Sequence, residues 1–163
     1  MAPPQQQWTA EVFATDEGFE PYSAFLDELN DTEFAALDAA VQHVLLVRGI
    51  ALGNSAWLKP LGDGLHEFRV RHSAEEISRM FADELPGTAP AEPVLLRVFV
   101  HFYGNKVVLL LSGYDKGEDP SEKRQQRAIK AARKALTAWR QQKDRQRARL
   151  RRQGPRGPAR RRR

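Results

Sequence analysis

Apolar residues recur along this chain with two different spacings, and each change of spacing marks an element boundary. The stretch WTAEVFA at 8–14 alternates around Val12 and Phe13, which predicts a first strand. Phe19, Tyr22, Leu26 and Leu29 then fall at helical intervals, with Pro21 tolerable only in a first turn. A second helix follows, with Asn30 or Asp31 as its cap, Phe34, Leu37, Val41 and Val44 as its stripe, and Gly49 as its stop. The pair predicts an antiparallel helical hairpin, in which His43 is a partly buried helical histidine.

Residues 52–64 read as a loop. LHEFRVR at 65–71 alternates strictly, with Leu65, Glu67, Arg69 and Arg71 on one face and His66, Phe68 and Val70 on the other. Residues 73–85 read as a short helix, and the proline-rich 86–93 as a loop. In VLLRVFVHFYGNKVVLLLSGY at 94–114, Gly104-Asn105 between two apolar runs predicts a two-residue hairpin turn. That register sets Arg97 opposite Ser112 and His101 opposite Val108, and makes Val98, Val100, Phe102, Val107, Leu109 and Leu111 the core face. The other face then carries Arg97, His101, Tyr103, Lys106 and Ser112, continued by Tyr114 and Lys116. A long helix closes the chain, with Asp119 as N-cap, Pro120 at its first position, Glu122 completing a capping box, and Ile129, Ala132, Ala135 or Leu136, and Trp139 as its buried stripe. The order predicts an α+β fold: a small antiparallel β-sheet with an N-terminal helical hairpin on one face and a long C-terminal helix.

With 163 residues and 41% apolar content, the chain fits one domain with flexible ends, and residues 1–7 are expected to be disordered. It contains no cysteine, so neither disulfides nor thiolate metal sites are open to it. It has no unbroken apolar run of membrane-spanning length, and its MAPPQQQ start lacks the features of a signal peptide, so the expected location is cytoplasmic, away from membranes. The net charge of +5 conceals an asymmetry: residues 140–163 hold 12 of the 26 Lys and Arg residues against one acid, Asp144. An acidic body with a basic end points to contact with nucleic acid, and makes Arg151 and Arg152 candidate substrate-binding residues beside Arg71, Tyr103 and Lys106. The end itself, RRQGPRGPARRRR, is expected to be disordered.

Glycine-rich nucleotide motifs are missing, and His43, His66, His72 and His101 lack zinc-site spacing, so no cofactor and no metal are expected. A cationic face suits metal-free RNA cleavage. There a base takes the ribose 2′-hydroxyl proton, cations stabilise the phosphorane, and an acid protonates the leaving 5′-oxygen. Arg69, Arg97, Tyr114, Lys116 and His101 are the candidate catalytic residues. The same arginines equally fit a solvated sheet face on which Glu67 pairs with Arg69 or Arg97, worth about 0.2–1 kcal/mol.

Gly64-Leu65-His66-Glu67-Phe68-Arg69, Arg97-Val98-Phe99, Gly104, the apolar run 107–111 and Gly113-Tyr114-Asp115-Lys116 together resemble the phage-derived HigB-like branch of the RelE/ParE toxin superfamily. The resemblance covers about residues 8–140, with an insertion at about 73–93, and leaves 141–163 as a basic helix extension and Arg-rich tail. It implies a ribosome-dependent mRNA endonuclease, an mRNA interferase. That would be the toxin of a type II toxin-antitoxin system, held in a hetero-oligomer by a helix-turn-helix antitoxin. Where that branch carries further lysines, this chain has Gly117, Glu118 and Asp119. Two other readings stand beside it: a non-catalytic module of the same fold that binds nucleic acid or a partner, and a gyrase-directed toxin of the ParE kind.

Overall fold

The structure is a computed structural model that describes residues 6–82 and 94–154. Residues 1–5, the loop at 86–93 and the arginine-rich end beyond residue 154, three segments expected to be irregular, lie outside the described residues. The protein is α+β, built on one five-stranded sheet. Its strands are β1 (Thr9–Val12), β2 (Leu58–Gly62), β3 (Leu65–Val70), β4 (Leu96–Tyr103) and β5 (Val107–Asp115), ordered β1-β5-β4-β3-β2. β1 runs parallel to β5 and every other pairing is antiparallel, so the sheet is mixed.

The edge strand β2 occupies a stretch that reads as loop in the sequence. Pro60 and Gly62 break a strand pattern, but an edge strand leaves one row of donors unused, and there a proline costs little. Gly62, Asp63 and Gly64, all at positive φ, turn the chain into β3.

One face of the sheet is covered by α1 (Pro21–Asp27), α2 (Asp31–Ala40), a π-helical turn (Val41–Leu45) and α3 (Leu46–Arg48). Pro21 sits at the first helical position, and Asn30 and Glu33 form the reciprocal capping box that opens α2. Phe25, Leu37, Val44 and Leu45 pack there on Phe68, Val70, Val98, Val100, Val108 and Leu110. Phe34, assigned to the buried stripe by its spacing, is instead exposed. Asp31–Leu52 is long and apolar enough to cross a bilayer, but half of its most apolar 18-residue stretch is buried inside the fold. The expected helix near residue 73 is α4 (Ala74–Ile77), capped by the Ser73 hydroxyl and followed by a second π-helical turn.

The β4–β5 hairpin departs from the two-residue turn. Tyr103 pairs with Val107, leaving three residues in the loop, with Gly104 and Lys106 both in the left-handed region. A bulge between Phe99 and Val100 then shifts the pairing again, so that Arg97 faces Tyr114, not Ser112, and His101 faces Leu109, not Val108. The face assignment changes with it. Val108 and Leu110 join Val98 and Val100 under the N-terminal helices, whereas Leu109 and Leu111 lie on the opposite side with Phe99.

That opposite side is a second core. It is covered by α5 (Glu122–Arg152), whose Ala128, Ala132, Leu136 and Trp139 pack on Phe13, Leu65, Phe99, Leu109, Leu111 and Tyr114. Its cap is Ser121, whose hydroxyl accepts the Arg124 N–H at 3.2 Å. Asp119, expected as the cap, instead accepts the Ser121 N–H at 3.1 Å. At 31 residues α5 is about 46 Å long. Its second half is tied down as far as Arg145, through Gln142 to the Ala14 carbonyl at 2.9 Å and Arg145 to Asp16 at 2.8 Å, beyond which it is exposed.

A candidate site beneath the first turns of the C-terminal helix

The corrected register puts three predicted residues in one cross-strand row: Arg69 on β3 pairs with Arg97 on β4, which pairs with Tyr114 on β5. Neighbouring strands lie about 4.8 Å apart, so the row spans about 10 Å. Glu67, two residues before Arg69 and therefore on the same face, completes the group. Its Oε1 accepts from Arg69 Nε at 3.0 Å and lies 3.7 Å from Arg97 Nε. The sequence-level pairing of Glu67 with these arginines is thus realised, but in a buried setting: Glu67 is 0% exposed, Tyr114 2% and Arg97 3%.

Buried polar side-chain atoms in folded proteins almost always have a hydrogen-bond partner. Here four atoms in and beside the row have none: Glu67 Oε2, Arg97 Nε, Ser112 Oγ and Tyr114 Oη. Burial and the Glu67 charge push the Tyr114 phenol above its ordinary pKa, against the neighbouring Arg97, Arg124 and Arg69 charges. Tyr114 is therefore a protonated donor at neutral pH. Burial lowers the Arg97 guanidinium pKa and Glu67 opposes that shift, while Arg71 and Arg69 add to it. Arg71, exposed just past β3, borders the group, and from α5 the Arg124 guanidinium lies 5.5 Å from the centre of the Tyr114 ring.

Lys116 lies just past the end of β5, half-buried, with its N–H on the Leu95 carbonyl at 2.8 Å. Residues 117–119, which differ from the lysines of the resembling branch, serve the turn into α5. Asp115 accepts the Gly117 and Glu118 N–H groups at 2.9 and 3.3 Å.

The remaining predicted residues are elsewhere. His101 is four residues from Arg97 along β4, about 13 Å away, and its Nδ1 is 2.8 Å from the Gly64 carbonyl. Tyr103 donates to Glu11 at 2.9 Å, and Lys106 sits in the hairpin turn 3.4 Å from the Gln7 side chain. Arg151 and Arg152 belong to the exposed end of α5, about 40 Å along the helix from Arg124. His101, Tyr103, Lys106, Arg151 and Arg152 therefore do not converge with the row. Arg124 was missed because its role depends on where α5 crosses the sheet, which the helical periodicity does not report.

The chain matches no protein-family model, no curated protein and no solved structure, so the functional reading rests on its own residues and their geometry. These define an α+β protein with a buried arginine-tyrosine row beneath a basic helix.

Proposed function

We propose that this protein is an RNA-cleaving toxin of a type II toxin-antitoxin system, acting in the cytoplasm on mRNA at the ribosome and neutralised by a helix-turn-helix antitoxin. The observation that supports this reading is the concentration of unpaired polar atoms on the Arg69–Arg97–Tyr114 row. In the proposed reaction the ribose 2′-oxygen attacks the adjacent phosphorus and the bond to the 5′-oxygen breaks, leaving a 2′,3′-cyclic phosphate and a 5′-hydroxyl. The free oxygen of Glu67 takes the 2′-hydroxyl proton. Arg69 and Arg97 stabilise the phosphorane charge, and the Tyr114 phenol donates to it. Lys116, two residues beyond Tyr114 in the chain, protonates the leaving oxygen. DNA lacks the 2′-hydroxyl and is not a substrate.

RNA reaches the row only when the first turns of α5, with Arg124, move aside. This burial favours a second reading, in which the row is structural and the protein binds nucleic acid through α5 without cleaving it. Expression in bacteria, with growth and mRNA integrity followed together, separates the two. Growth arrest with new mRNA ends bearing cyclic phosphates supports cleavage. Intact mRNA in cells expressing the folded protein leaves the binding reading, and an SOS response with intact mRNA points to gyrase.

A further inference from the structure

At the other end of α5, residues outside the arginine row form an open groove of about 470 Å³. It is lined by the rings of His101, Tyr103 and Trp139, the side chains of Arg140, Lys143 and Arg147, Gly104 and one acid, Asp144. His101 and Tyr103 lie nearly parallel, 6.3 Å apart at 6°, while Tyr103 and Trp139 meet edge to face at 4.7 Å. Both phenol and indole hang on Glu11: Tyr103 donates to one carboxylate oxygen at 2.9 Å and Trp139 Nε1 to the other at 3.1 Å. The Lys143 ammonium stands 5.7 and 5.5 Å from the Tyr103 and Trp139 ring centres. Arg140 is fixed by Asp63, through the carbonyl at 2.8 Å and the carboxylate at 3.2 Å. Gly64 makes this closeness possible, because a Cβ there would sit 2.9 Å from Arg140 and 3.0 Å from His101.

We infer that this groove is a binding subsite for a nucleotide of single-stranded RNA, with the exposed stripe of α5 carrying the backbone onward. The inference rests on the RNA-directed reading above and adds to it where the strand is held. Fixed aromatic rings beside cations are the combination that single strands use, bases stacking on rings and phosphates meeting Lys and Arg. The volume lies within the range of sites for small ligands. Arg140, Lys143, Arg147 and Arg151 recur every three or four residues, so they share one face of α5. That stripe covers about 16 Å. Because a carbonyl only accepts, His101 donates from Nδ1 to Gly64 and, when neutral, keeps Nε2 as an acceptor for a ribose hydroxyl or base N–H. The groove is about 13 Å from the arginine row along β4, close enough for one strand to reach both.

The test is fluorescence anisotropy of the full-length protein with a labelled short oligouridylate. Arg147→Glu, at an exposed position outside the core, weakens binding about tenfold, and Tyr103→Ala about five- to a hundredfold. Lys134→Glu, the same charge change on the opposite side of α5, binds as the wild type. Thermal melts show Arg147→Glu to be as stable as wild type, so that loss does not come from unfolding. Cleavage is assayed separately: a protein that shows these binding losses but cuts no RNA keeps the groove and overturns only the cleavage reading. Wild-type binding by both groove variants overturns the groove. So does competition by an acidic polyglutamate peptide as effective as that by unlabelled RNA, which would assign the groove to an acidic protein partner.

Discussion

Glu67 is the residue on which the arginine row depends. A fully buried carboxylate that accepts from Arg69 at 3.0 Å and lies 3.7 Å from Arg97 offsets part of the repulsion between two guanidiniums under α5. Removing one partner of a buried pair leaves the other uncompensated, so Glu67→Gln is expected to cost about 3–5 kcal/mol of stability, read as a lower urea midpoint. An unchanged midpoint would mean that water already screens the pair. The neighbouring cations test chemistry more directly. Arg97→Ala and Lys116→Ala are each expected to lower RNA cleavage by about 10²-fold, the loss typical of one oxyanion donor. Wild-type rates in either variant would remove that residue from the mechanism. Gly113 carries no polar group yet serves the same row: a Cβ there would lie 2.5 Å from the Phe25 ring and 2.9 Å from the Arg97 carbonyl. Only glycine lets α1 close on the strand that presents Tyr114.

At the scale of elements, α5 decides what the sheet can do. Its first turns seal the row and its later turns build the groove, so the stability of its start governs access to the row. Ser121 holds that start by accepting the Arg124 N–H, and Arg124 in turn covers Tyr114. Ser121→Ala is expected to weaken the first turn by about 1 kcal/mol. Hydrogen exchange in the amides of residues 125–128, the first to bond carbonyls one turn back, would then run about fivefold faster, with little change at Leu136. Uniformly faster exchange would show that α5 opens only with the whole domain. The hairpin teaches a related lesson. Lys106 in the left-handed region adds one residue to the turn and the bulge adds a second offset, and between them they move Tyr114 opposite Arg97.

For the molecule as a whole, burial and charge act together. All three tyrosines have raised phenol pKa values: Tyr22 by burial and the Asp38 charge, Tyr103 to about 12 by burial and its hydrogen bond to Glu11, and Tyr114 by burial and Glu67. The fold binds these protons more tightly than the unfolded chain does, so their contribution is complete below pH 10. It is lost as pH rises above 10 through each raised pKa, which for Tyr103 is about 12. Near-ultraviolet titration of phenolate should therefore coincide with alkaline unfolding, and in denaturant should fall back to about 10. A tyrosine that ionises near pH 10 in the folded protein would contradict its burial. The basic end acts over a longer range. Truncation after Leu150 removes seven arginines from a chain whose first 139 residues carry 14 basic and 20 acidic groups. It is expected to leave the melting temperature unchanged and to weaken RNA binding with a shallower salt dependence, by about 0.7 in log–log slope for each phosphate that the shortened chain leaves unneutralised. Equal slopes for the two chains would make the end a bystander.

Periodicity and cap chemistry alone determined most of the elements: the alternation of β3, a start for α2 at Asn30 or Asp31, the Gly49 stop, the long C-terminal helix and the α+β class. They also placed Glu67 with Arg69 on one face of β3. Only the tertiary structure decided the edge strand β2, the parallel seating of β1, the register of β4 on β5 and the covering of the second face. The reason is physical. A run such as Val107–Leu111 is apolar at every position because β5 is buried on both sides, so alternation cannot say which parity faces which helix. One added turn residue and one bulge then reverse the assignment without changing any local preference. The separation of His101 and Tyr103 from Arg97, and the joining of both to Trp139 and Lys143, came from where α5 crosses the sheet, which is fixed by packing between residues far apart in the chain.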